Sequence, residues 1–301
     1  MAEIPSPRNP TGARYDSVLR ANLFAGELHW VTGGGSGIGR CVAHELAALG
    51  ATVVISGRSV DKLERVAAEI REDGGLVETR PFDIRDEDQV RATVAGVVAA
   101  HGRIHGLVNN AGGQFPAPLE NISKRGFDAV IATNLTGGFL MAREVFVQSM
   151  QAHGGAIVNM SADMWNGMPG MGHSGAARAG MINLTKTAAF EWASSGVRVN
   201  AVAPGFIASS GMDTYGDLGK ALIPKLKDHV TLRRMGLEAE VSSAICFLLS
   251  PGAAFITGVT LAIDGGAPLH GPLFPAVDHD RSVPYHGFHR ATLPAALQGN
   301  L

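Results

Sequence analysis

Thr32-Gly33-Gly34-Gly35-Ser36-Gly37-Ile38-Gly39 is the stretch on which the fold turns. An apolar run of strand character, His29–Thr32, leads into it, and an amphipathic run of helical period, Ile38–Leu49, leads out. The glycines at this spacing have separate uses. Gly33 permits a tight turn, Gly37 lets the backbone approach a diphosphate, and Gly39 lets the helix pack closely on the sheet. Ser36 and Ile38 lie between them, where the helix N-terminus offers free N–H groups and a positive dipole end to an anion. A glycine triplet alone also serves ordinary structural turns. The strand before it and the helix after it make this one a phosphate-binding loop.

Outward from the loop, strand-length apolar runs alternate with helix-length segments from about residue 28 to 264. The predicted strands are His29–Thr32, Thr52–Ser56, Val77–Phe82, Gly106–Asn109, Ala156–Met160, Arg198–Val202 and Thr260–Ile263. The predicted helices are Ile38–Leu49, Val60–Asp73, Glu87–Ala100, Lys124–Gln151, Gly170–Ser194 and Ala239–Leu249. Runs such as Ile157-Val158-Asn159-Met160 suit strands covered on both faces. Strict alternation with short loops means parallel strands joined by right-handed crossovers. The expected fold class is therefore α/β: a doubly wound, seven-stranded parallel sheet (a Rossmann fold) in a single domain. That domain is placed at 26–266, after an N-terminal extension at 1–25. It carries a lid insertion at about 209–235 and is followed by a tail at 267–301 with five prolines and four histidines.

Composition narrows the function classes. With 301 residues the chain can bury a sizeable core, and 39 glycines suit many tight βα turns. A net charge of −2 argues against nucleic acid or an anionic membrane as partner. Two cysteines, Cys41 and Cys246, make neither a disulfide framework nor a metal spacing, and the tail histidines lack the spacing of a zinc motif, so no metal is expected. No signal peptide and no run of eighteen apolar residues is read, and cytoplasm is the expected compartment.

At the end of the second strand, where a carboxylate would hold a ribose 2′-hydroxyl, the chain reads Ser56-Gly57-Arg58-Ser59. A guanidinium suits a 2′-phosphate, so the expected cofactor is NADPH, with Arg58 selecting it. Asp83, ending the third strand, is placed either to reach the adenine amino group or to cap the next turn.

Over residues 28 to 266 the chain resembles the short-chain dehydrogenase/reductase family. The residues that carry the resemblance are the Thr32–Gly39 loop, Asn109-Asn110-Ala111-Gly112, Asn134, Ser161, Pro204-Gly205 and Asp264-Gly265-Gly266. The resemblance implies that Asn110, Ala111 and Gly112 line the adenosine-ribose side and that Pro204, Ile207 and Ser209 meet the nicotinamide. It also implies subunit pairing through the long helices, hence a homotetramer or homodimer. The family's acid–base unit is Tyr-x-x-x-Lys, and the corresponding segment here reads His173-Ser174-Gly175-Ala176-Ala177, with neither member present. Ile182 and Lys186 keep the spacing without the phenol, and the three tyrosines, Tyr15, Tyr215 and Tyr285, lie elsewhere. His-Ser-Gly-Ala-Ala, Asn109–Phe115 and Phe247–Pro251 resemble more closely the peroxisomal trans-2-enoyl-CoA reductase branch, which saturates acyl thioesters with NADPH.

Loss of the phenol weighs on alcohol oxidation, which needs a base, more than on conjugate reduction, which first needs donors to an enolate oxygen. Ser161 and His173 are the candidate donors, Asn134 their organiser, and Gln114 and Tyr215 candidate substrate contacts. The leading expectation is an NADPH-dependent enoyl-thioester reductase with a small acyl thioester as substrate. An alcohol dehydrogenase acting on an apolar or terpenoid substrate and a catalytically inactive NADP-binding regulator stay open beside it.

Overall fold

The computed structural model describes residues 14–214, 221–269, 271 and 275–297. Seven strands form one parallel sheet: β1 (Leu28–Thr32), β2 (Thr52–Gly57), β3 (Leu76–Pro81), β4 (Gly106–Asn109), β5 (Gly155–Met160), β6 (Val197–Pro204) and β9 (Thr260–Ile263). Their order is β3-β2-β1-β4-β5-β6-β9, so the winding reverses between β1 and β4. In such sheets the crevice at that reversal, beyond the strand C-termini, is where a ligand binds. β1 and β4 are buried at every position, which is why their sequences are almost uniformly apolar.

The helices are α1 (Gly37–Ala48), α2 (Val60–Glu72), α3 (Glu87–His101), α4 (Lys124–Ile131), α5 (Gly137–Val145), α6 (Gln151–His153), α7 (Gly172–Glu191) and α8 (Glu238–Leu249). Ser59 and Asp86 cap α2 and α3 by accepting N–H bonds from their first turns. Two cores sandwich the sheet. Val42, Leu46, Val66, Ile70, Val241 and Ile245 pack on one face from α1, α2 and α8. Val90, Val94, Met141, Val145 and Ala189 pack on the other from α3, α5 and α7. The α/β, doubly wound class read from the sequence is the class observed.

One feature differs from the expectation, and one was left open by the sequence. The helix predicted over Lys124–Gln151 runs continuously to His153, but π turns at Ala132–Thr136 and Phe146–Met150 interrupt its α geometry. By length and apolarity this run could span a bilayer, yet it packs on α3 and α7 as a core helix. The tail, which shows no periodicity in sequence, folds back on the domain. Phe288 stacks on Tyr15 and sits under Arg40, while Arg290 binds Asp73 at 2.6 Å and Glu72 at 2.8 Å on α2. His289 stands 3.0 Å from the same Asp73 carboxylate. Nearby, burial drives the His44 imidazole down to about 4, so it packs neutral between Glu69 and Asp73.

Candidate active site

The loop after β1 is tied to the loop after β4. Thr32 Oγ1 accepts from the backbone N–H of Asn110 (3.1 Å) and of Ala111 (3.0 Å), and Asn110 Nδ2 donates to the Thr32 carbonyl at 3.0 Å. A Cβ at Gly39 would collide with Asn110 Nδ2 and the Gly33 carbonyl, so the third glycine is required by this crossing as well as by helix packing. Gly37, at φ +57°, adopts the left-handed region and has nothing within 3.9 Å of its Cβ position. That open space, together with a Ser36 N-cap side chain that makes no capping bond, fits a diphosphate over the α1 N-terminus.

Arg58 is exposed at the end of β2 and makes no hydrogen bond or ion pair among the described residues. Asp83 is engaged: Arg85 grips its carboxylate through Nε (2.9 Å) and Nη2 (2.5 Å), and the Arg85 N–H donates to it at 3.0 Å. Of the two readings open for Asp83, the turn-capping one describes this contact. The Arg85 bonds hold its carboxyl below the usual range.

Beyond β4 and β5 a second group of side chains converges. Asn134, 2% exposed, is carried by the first π turn, and its Oδ1 accepts from the Gly113 N–H at 2.8 Å. Such π turns place a side chain where regular helix geometry would not. Asn134 Nδ2 is buried without a partner among the described residues. Ser161, just past β5, donates from Oγ to the Arg178 carbonyl at 3.3 Å, and its N–H donates to Val202 on β6. Asp163, two residues on, bonds through its N–H to the Pro204 carbonyl, and burial pushes its carboxyl upward, with Asp264 adding repulsion. Ile207 and Ser209 follow Pro204. Ile207–Ala208 (β7) pairs with Gly236–Leu237 (β8), so the segment expected as a lid is pinned at its base. Tyr215 lies outside the described residues.

His173 is fully buried in the first turn of α7, its ring edge-on to Phe115 at 4.4 Å. Its Nδ1 accepts the Ser174 N–H at 2.8 Å, leaving Nε2 enclosed without a partner among the described residues. Ser174 Oγ donates to Gln114 Oε1 at 2.6 Å, so the proposed substrate contact Gln114 is bound to α7. Lys186 is exposed on the far side of the helix. Tyr15 is buried against Glu45 and Cys41, and Tyr285 bonds the Asp16 carbonyl.

The residue that sequence reasoning missed is Arg178. It is 9% exposed, donates from Nη1 to the Met160 carbonyl at 2.6 Å, and lies one turn beyond Ser174 on the same face of α7. Reading Ser174-x-x-x-Arg178 instead of the segment starting at His173 would have exposed it, because an arginine on an otherwise apolar helix face is uncommon.

Comparison with known proteins gives the family of the chain. The family model described as Enoyl-(Acyl carrier protein) reductase matches residues 33–268. The chain belongs to the short-chain dehydrogenase/reductase family. It is 37% identical over 243 residues to a probable 2,4-dienoyl-CoA reductase [(2E)-enoyl-CoA-producing] of Bacillus subtilis, covering 78% of this chain and 94% of that one. It is also 37% identical to a Staphylococcus aureus 3-oxoacyl-[acyl-carrier-protein] reductase, FabG, over 78% of this chain and 96% of that one. Among solved structures, the citronellol catabolism dehydrogenase AtuB of Pseudomonas aeruginosa superposes with a TM-score of 0.76 at 60% identity, over 84% of this chain and 99% of that one. As a family member the protein is an oxidoreductase that uses a nicotinamide dinucleotide.

Proposed function

We propose that this short-chain dehydrogenase/reductase uses NADPH to reduce the 2,3 double bond of an enoyl thioester, a trans-2-enoyl-CoA or its close kin. The observation that carries the reading is a site with buried donors and no phenol. Asn134 and Ser161 are buried after β4 and β5 and His173 is buried in the first turn of α7, while the described tyrosines, Tyr15 and Tyr285, bond elsewhere. Relatives named as reductases of enoyl and dienoyl thioesters support it. NADPH, when bound, supplies the hydride. Gly33, Ser36, Gly37, Ile38 and Gly39 would hold its diphosphate, Arg58 the 2′-phosphate, and Asp83, Asn110, Ala111 and Gly112 the adenosine side. Pro204, Ile207 and Ser209 would flank the nicotinamide. Ser161 and His173 Nε2 donate toward the thioester oxygen as charge collects there, Asn134 keeps the Gly113 loop in place, and Gln114 and Tyr215 border the acyl chain.

A second reading, oxidation of a terpenoid alcohol, is favoured by the 60% identity to a citronellol catabolism dehydrogenase. One experiment separates the two. Purified protein is supplied with NADPH and a panel of trans-2-enoyl-CoA, 2,4-dienoyl-CoA and 3-oxoacyl thioesters, and separately with NADP⁺ and citronellol, following nicotinamide absorbance. Turnover with the enoyl thioesters alone supports the first reading, and turnover with citronellol alone replaces it with the second. Tight NADPH binding without turnover on any substrate identifies a non-catalytic regulator.

A further inference from the structure

Arg178 is a buried cation whose guanidinium is only partly satisfied. Its Nη1 is committed to the Met160 carbonyl at 2.6 Å, its Nε is enclosed with no partner, and its Nη2 makes no hydrogen bond among the described residues. No carboxylate among the described residues neutralises it. Burial is the one influence on its titration, lowering it to about 10, so the guanidinium keeps its charge at neutral pH. A buried charge without a counter-ion is costly, and proteins retain one where a ligand or a developing charge uses it.

Its position indicates where that use lies. A Cβ placed on Gly112 would fall 2.7 Å from Arg178 Nη2 and 3.1 Å from Asn134 Oδ1, so Gly112 leaves room for the guanidinium tip. The tip therefore lies among the ends of β4 and β5 and the π turn that carries Asn134, with Ser161 bonded to the backbone of Arg178 itself. Ser174, one turn earlier, is occupied with Gln114. The cation thus stands where the site lacks both a phenol and an ammonium.

We propose that Arg178 is a catalytic residue of this site, donating its Nη2–H to the substrate carbonyl oxygen and stabilising, with its unpaired charge, the enolate that forms there. The proposal rests on the enoyl-thioester reading. The substrate's β-carbon accepts hydride with its electron pair. The π electrons between the α- and β-carbons become the new enolate double bond, and the carbonyl pair moves onto oxygen. A proton from water then adds at the α-carbon and the carbonyl re-forms. The thioester bond is untouched. Arg178 gives up no proton at any point, which distinguishes it from an acid–base residue.

The test uses full-length Arg178→Met and Arg178→Lys with three measurements: single-turnover reduction of trans-2-enoyl-CoA, NADPH affinity by titration, and Tm without ligands. Loss of one preorganised donor to an oxyanion costs roughly 10²–10³-fold. Arg178→Met is expected to lose about that factor in rate while NADPH affinity stays within about threefold, and its ligand-free Tm is expected to rise, because an uncompensated buried charge has been removed. Arg178→Lys is expected to recover part of the rate and to acquire an alkaline limb absent from the parent, because a buried ammonium titrates more readily than a guanidinium. Full rate in Arg178→Met overturns the proposal. So does a loss of NADPH affinity equal to the loss of rate, which makes Arg178 a cofactor anchor, or a fall in Tm with no loss of rate, which makes it structural. Should Arg178→Met fail to fold, the pH profile of Arg178→Lys decides by itself. A parent protein that reduces no enoyl thioester overturns the underlying reading and this proposal with it, whereas an active parent with an active Arg178→Met overturns this proposal alone.

Discussion

Glu238 opens α8 with its carboxyl facing the phosphate loop, Oε1 3.9 Å from the Cβ position of Gly37. It is 6% exposed, and burial raises it to about 7 against an ordinary 4.5, Arg40 pulling weakly the other way. In the unfolded chain this carboxyl ionises near 4.5; in the fold it resists until about 7. The folded state therefore binds the extra proton, and stability falls as pH rises between those values. The 2.5-unit gap corresponds to roughly 3 kcal/mol once pH passes 8 and to roughly 1 kcal/mol at pH 5. Glu238→Gln removes this titration while keeping the shape, and any cost of burying the amide is the same at every pH. The mutant's advantage over the parent is expected to grow by about 2 kcal/mol between pH 5 and pH 8, which in a chain of this size is a few degrees of Tm. Thermal unfolding of both proteins across that range, at one protein concentration, checks it. NADPH affinity of the mutant is expected to exceed the parent's above pH 7, because a negative charge beside the diphosphate loop is gone. A Tm difference that stays constant from pH 5 to pH 8 refutes the reasoning.

The remaining expectations concern the site and the assembly. With Arg58 free to meet a 2′-phosphate, NADPH is expected to bind at least ~10-fold tighter than NADH, about 1.4 kcal/mol; equal affinities in the parent, or an unchanged ratio in Arg58→Asp, would refute that assignment. His173→Ala is expected to lower kcat roughly 10²-fold with NADPH binding nearly intact; full activity would leave the ring with its packing role against Phe115. Gly39→Ala is expected to abolish NADPH binding or folding, because the added methyl meets Asn110 and the Gly33 carbonyl, and a normal binding isotherm would show that the two loops have room to separate. Phe139 and Phe190 leave apolar surface exposed on α5 and α7, so sedimentation is expected to report a dimer or tetramer at micromolar concentration, and a monomer would count against these faces as subunit contacts.

What the sequence determined by itself is the frame. The strand-length apolar runs, the helix-period segments, the glycine loop and the order of short motifs are local signals, set by backbone sterics and by which side of each element must leave water. From them came the seven parallel strands, and from the resemblance that the short motifs carry came Asn134 and Ser161 as candidate site residues. The tertiary structure decided what depends on contacts between distant residues. Asn134 reaches Gly113 because a π turn rotates it, and no local signal marked that turn. Arg178 went unread because the segment was read from His173, and only the packing around α7 shows the guanidinium buried with no anion among the described residues. The tail had no periodicity to read because few of its own residues pack on one another; it is held by Phe288, His289 and Arg290 against side chains more than two hundred residues earlier, contacts that exist only after the domain has closed.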